Sequence, residues 1–139
     1  MWIYYEPADQ DKQEWWISLD DLGDVEAEMI EHRSGYPWAE FHGKLLQGDI
    51  RARRSLLWTL LRRQHHTLRY EDVHFRTGQL RVELDAREQG EIVAEMGKRR
   101  LTETEQRAME MMQEQIESGE ARPAPGKALD VIEENNTAG

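Results

Sequence analysis

His65, His66, Glu71, Asp72 and His74 are the residues whose types and spacing come nearest to chemistry. Imidazoles and carboxylates are zinc ligands, and three of them with an open fourth position would activate a water for hydrolysis. Such a site needs side chains that converge tetrahedrally, whereas adjacent histidines at a helix end point apart. The chain carries no HExxH, no glycine-rich phosphate loop and no nucleophile elbow. Carboxylates are abundant throughout, but abundance singles out no general acid and base pair. The expectation is a non-enzyme with no catalytic residue, no metal and no cofactor. A metal-dependent hydrolase using His65–His74 is the reading that stoichiometric metal in purified protein would revive.

The other reactive-looking group is Arg51, Arg53, Arg54, Arg62 and Arg63. On a helix these residues offer a stripe for phosphates. The chain as a whole carries a formal net charge of -10, which opposes binding driven by phosphate neutralisation. Arg53 and Arg54 lie towards an apolar face, and Arg62 and Arg63 suit the negative end of a helix dipole. Pairing with carboxylates of the chain's own first helix is therefore expected over nucleic acid. With no cysteine there is neither a disulfide nor a thiolate metal site. No apolar run approaches the ~20 residues that span a bilayer, and the N-terminus lacks a basic start and apolar centre. These features point to a protein of the cytoplasm.

At 139 residues one modest core is expected, and 33% charged residues imply that part of the chain stays outside it. Trp2–Glu6 and Glu14–Leu19, separated by Pro7 and polar residues, read as a short hairpin. Trp2, Trp15 and Trp16 lie on it, either covering one end of a helical core or serving as a partner surface, where tryptophan is enriched. Ser18 with Asp21 resembles a capping box for a first helix, whose stripe would be Leu22, Val25, Met29 and Ile30, ending at Gly35. Pro37 opens a second helix carrying Trp38, Phe41, Leu45 and Leu46. Asp49 caps a third, about Ile50–Gln64, in which Leu56, Leu57, Trp58, Leu60 and Leu61 cover over half the circumference. Thr67 is expected to cap a turn, with Val73 and Phe75 packing back. The expected core is Leu22, Val25, Met29, Trp38, Phe41, Leu57, Trp58, Leu61 and Phe75.

Beyond the Thr77-Gly78 turn, Leu80, Val82 and Leu84 alternate with charges and predict one further short strand. Asp85 caps a helix bearing Gln89, Ile92, Val93 and Met96, weakened by Gly90. Thr102 and Glu105 form a capping box for a last helix, Glu103–Ser118. Its Met109, Met112 and Ile116, with Met111 beside them, form an apolar strip on an acidic helix. That strip either docks intramolecularly or contacts a partner, a task that flexible methionines suit. The expected fold is mainly α, with a short N-terminal β-hairpin and a disordered C-terminal tail. The domain organisation is a single mainly helical domain over 1–118, its 103–118 helix loosely docked, followed by a disordered acidic tail over 119–139. Residues 128–134 of that tail have the composition of a transient helix.

Three stretches resemble the tail assembly chaperones of long-tailed (siphovirus-type) phages: Asp20–Tyr36, an acidic helix closing on a Ser-Gly step; Ser55–Arg63, an apolar Trp-containing helix with terminal arginines; and Thr67–Phe75. His66 stands where that family often carries a proline. The resemblance implies a non-enzymatic factor that binds and solubilises the tape measure protein, helps recruit tail tube subunits, acts in the host cytoplasm and is not retained in the mature virion. It also implies, for many such phages, a longer frameshifted form, for which Gly126-Lys127 is a candidate slippery position. Met109, Met111, Met112, Ile116, Trp15 and Trp16 are the candidate partner-binding residues, and self-association is a further use of such a face. The alternative is a small acidic protein that binds and inhibits a DNA-binding target through its carboxylates, which rising ionic strength would weaken steeply.

Overall fold

The computed structural model describes residues 1–125 and is mainly helical, with a small three-stranded antiparallel sheet. In chain order the described elements are β1 (Trp2–Tyr5), β2 (Gln13–Trp16), α1 (Asp24–Ser34), α2 (Trp38–Leu46), α3 (Ile50–Arg62), β3 (Leu80–Glu83), α4 (Ala86–Met96) and α5 (Glu103–Ser118). Among the described residues two compact units emerge: Ile3–Val82, and Met1–Trp2 with residues 83–125. The 128–134 segment and Gly126-Lys127 lie outside the described residues.

In the first unit α3 is the central element. Every residue from Ser55 to Leu60 is buried, so the helix is covered all round, as its broad apolar arc requires. Its two buried hydroxyls are satisfied within the helix: Ser55 donates to the Ala52 carbonyl at 2.8 Å and Thr59 to the Ser55 carbonyl at 2.9 Å. Asp49 caps the helix by accepting from the Ala52 amide at 3.0 Å. Helices α1 and α2 pack on α3. From α2, Phe41 and Leu45, one turn apart, are fully buried, and Trp38 stacks in parallel on Phe41 with centroids 5.4 Å apart. The α2 N-terminus is capped from outside the helix, the Trp38 amide donating to the Glu31 carboxylate at 2.7 Å.

Helix α1 departs from its expected phase. Ser18 makes no side-chain cap; it precedes a 3-10 turn, Leu19–Asp21, and extended backbone at Leu22 separates that turn from α1, which Gly23 begins. Ile30 and Ser34 are the buried residues of α1. Val25, expected in the core, is 63% exposed, because it lies about 140° round the helix from Ile30 at 100° per residue. Leu22, Met29, Trp38, Leu61 and Phe75 are half-buried, and Phe41, Leu57 and Trp58 are buried. Gly35 ends α1 in the left-handed region at φ 79° with its amide on the Glu31 carbonyl, as the sequence predicts. The expected Thr67 cap does not form: Thr67 is exposed, and the short turn that follows spans Tyr70–Asp72 behind Arg69.

The strand order is β2-β1-β3, so the expected hairpin gains the further strand as its third member. Beyond the β1–β3 ladder, the Glu6 amide donates to the Gln79 carbonyl at 2.8 Å. Ile3 and Tyr5 of the central strand are buried, as is Leu80 of β3.

In the second unit, α4 and α5 pack on one another. Both start with reciprocal capping boxes, Asp85 with Glu88 and Thr102 with Glu105. Asp85, itself buried, also lies 3.5 Å from the Met1 amine. Residues 119–125, placed in the tail by composition, carry defined contacts. The Ala86 amide donates to the Arg122 carbonyl at 2.9 Å, the Trp2 indole to the Pro123 carbonyl at 3.1 Å, and the Arg122 guanidinium lies over the Trp2 ring. Among the described residues, no helix is long and apolar enough to cross a membrane.

Candidate functional site

The histidine-carboxylate segment is dispersed in space. His65 and His66 are exposed past the end of α3, and His74 is exposed beyond the following turn. Arg69 occupies both Asp72 oxygens, at 3.0 and 3.2 Å, and holds that carboxyl below its ordinary range. Glu71 lies 3.4 Å from Arg33. Among the described residues, no three histidines or carboxylates are placed to hold a metal ion.

The arginines divide their work in a way that spacing alone does not show. Only Arg63 makes the expected pairing with α1, a fork on Glu26 at 3.1 and 3.0 Å. Arg53 donates to the Leu45 carbonyl at 3.2 Å, and Arg54 donates to the carbonyls of Val73 and Tyr70 at 3.0 and 3.1 Å. Arg51 donates to the Tyr36 hydroxyl at 2.7 Å, which itself donates to Asp49. Arg62 lies 4.8 Å over the Trp58 ring, and its other contact is the Met29 sulfur at 3.5 Å. These contacts make most of the stripe structural.

Around Trp58 the side chains form a layered stack. Trp58 and Tyr70 meet edge to face, centroids 5.7 Å apart, and the Trp58 indole donates to the Leu68 carbonyl at 3.1 Å. Arg33 from α1 sits 5.0 Å over Tyr70 and 5.5 Å from Trp58, while Arg54 lies 4.4 Å over Tyr70. An open groove of about 730 Å³ runs along this stack, with Val25 and Met29 on its α1 wall and Leu68 and Tyr70 opposite. Sequence reasoning missed this groove. Trp58 and Arg62, one helical turn apart, were a legible half of it; Arg33 and Tyr70 reach it through tertiary structure.

The candidate partner-binding residues fall in two places. Met109, Met112 and Ile116 are half-buried on α5, and Met111 is 62% exposed beside them. Helix α4 brings half-buried Ile92, Val93 and Met96. Neither α4 nor α5 contains a single buried residue. The hairpin therefore holds six aliphatic or thioether side chains at partial exposure, with Met111 open to solvent. Trp15 and Trp16 are half-buried on β2, an edge strand of the sheet. The chain matches no protein-family model, no curated protein and no solved structure.

Proposed function

We propose that this protein is a non-enzymatic assembly chaperone of a long-tailed phage, binding the tape measure protein, keeping it soluble and helping to recruit tail tube subunits. The observation that carries the reading is the α4–α5 hairpin, whose apolar residues are nowhere fully buried. A packed pair of helices ordinarily seals such a stripe, and one that stays partly open is suited to take a third amphipathic helix. The methionines on α5 adapt to client helices of varied shape. The exposed acidic residues between them, among them Glu110, Glu114 and Glu117, keep a client-bound chaperone soluble by repulsion.

Co-expression with a tape measure protein tests this. The wild-type chain is expected to bring the client into the soluble fraction, and Met111→Ser combined with Met112→Ser to return it to the pellet while the circular dichroism spectrum of the chaperone is unchanged. Full client solubility with that double variant would remove the α5 strip from the reading. A client that is insoluble with the wild-type chain as well would remove the chaperone function itself.

A further inference from the structure

The groove beside Trp58 lies within the first unit and is not accounted for by the α4–α5 hairpin. Apolar side chains line it: Val25 is 63% exposed, and Met29, Leu68 and Tyr70 are half-buried, so together they leave apolar surface open along one groove. Its volume of about 730 Å³ falls in the ~300–1,000 Å³ range of binding pockets. Arg33, Arg62 and Arg69 line the rim against Glu28 and Glu71, in a chain of net charge -10; Arg69 is already forked on Asp72, which leaves Arg62 and Arg33 as the cations facing an incoming group. Arg62 contacts a ring and a thioether, with no carboxylate within ion-pair distance among the described residues. The Arg33–Glu71 pair is half-exposed and long, so an incoming carboxylate competes for Arg33 at little cost.

We infer that this groove is a second docking surface, for a short acidic segment of a partner protein bearing aliphatic anchors. The aliphatic side chains enter between Val25, Met29 and Leu68, where they remove exposed apolar surface from water. The carboxylates meet Arg62 and Arg33, which the aromatic stack holds in place and so spares the entropy of ordering them on binding. A basic segment would set its own cations against those arginines.

The test uses the full chain and two fluorescein-labelled synthetic helices. Both carry leucines at i, i+3, i+4 and i+7; one has glutamates at the remaining positions and the other lysines. Fluorescence anisotropy is expected to show the glutamate helix binding and the lysine helix at least roughly tenfold weaker. Val25→Glu, at a site too exposed to matter for the fold, and Arg62→Gln should each weaken the glutamate helix by about tenfold. Equal binding of the two helices, or binding unaffected by both substitutions, overturns the inference. Loss of peptide binding in Met111→Ser would move the peptide to the hairpin and overturn it as well. A sedimentation dimer that Val25→Glu converts to monomer, and that the peptide fails to dissociate, would make the groove a self-interface instead. Client solubilisation reads the α5 strip and peptide anisotropy reads the groove, so either proposal can fail without the other.

Discussion

Arg54 donates through Nε to the Val73 carbonyl at 3.0 Å, clamping the segment after α3 back onto α3 itself. The same guanidinium reaches the Tyr70 carbonyl at 3.1 Å and lies 4.4 Å over the Tyr70 ring. One side chain thus bonds two carbonyls of the stretch after α3, that of Val73 and that of Tyr70, the latter also accepting from the Val73 amide within the short turn. Hydrogen bonds from a charged donor contribute more than neutral ones, and the fork geometry is specific to arginine. Arg54→Met is expected to lower stability by about 3 kcal/mol in urea denaturation. Arg54→Lys should recover less than half of that, because a single ammonium cannot reproduce the planar fork. Full rescue by lysine would show that charge alone holds the segment.

Asp49 gives the chain an acid-sensitive helix start. Its carboxyl is held below the ordinary 3.8, first by the Tyr36 hydroxyl, then by the Ala52 amide and by Arg51 nearby. A depressed carboxyl means that the unfolded chain takes up the proton first as pH falls. The stabilisation is therefore complete above 3.8 and is lost as pH drops through the lowered value in the folded protein. Tyr36→Phe removes the largest cause, so thermal midpoints measured between neutral and acidic pH should fall less steeply in that variant. Asp49→Ala, which deletes the cap outright, should cost about 1 kcal/mol at neutral pH. An acid limb identical in Tyr36→Phe and wild type would remove Asp49 as its source.

Val25 and Ile30 separate what the α1 sequence pattern encodes from what the surrounding structure decides. Ile30→Ala is expected to cost about 3 kcal/mol, since Ile30 is wholly buried. Val25→Ala should stay within about 0.5 kcal/mol, the usual range for an exposed position. Urea midpoints check both, and equal losses would put Val25 back in the core.

That contrast also shows where the sequence was readable. The arc Leu56, Leu57, Trp58 and Leu60 spans so much of α3 that no choice of phase could have hidden its burial. The Asp49, Asp85 and Thr102 caps and the Gly35 stop were equally legible, because each is set by one residue's local chemistry. Helix α1 has few apolar residues, so its pattern leaves open which face is buried, and its packing on α3 selects the face of Ile30 and Ser34. The groove was illegible for a related reason. Arg33 belongs by sequence with the acidic α1, and Tyr70 with a polar turn; only the packing of α1 on α3 and the Arg54 clamp bring them to Trp58.

The α4–α5 hairpin should be the less protected part of the described chain, and a single glycine tunes it. With no buried residue on either helix, few apolar contacts oppose its local opening. Amide exchange is therefore expected to be faster over Ala86–Ser118 than over Ser55–Leu60, where every side chain is buried. Gly90 sits in mid-helix, and a Cβ there would meet nothing within 4 Å. Gly90→Ala thus adds helix propensity without a clash, raising the stability of α4 by about 1 kcal/mol and slowing its exchange roughly fivefold. If the hairpin works by yielding to a client helix, this stiffer variant should solubilise a tape measure protein less well while being the more stable protein. Slower exchange with undiminished client solubilisation would show that the hairpin binds as a rigid face.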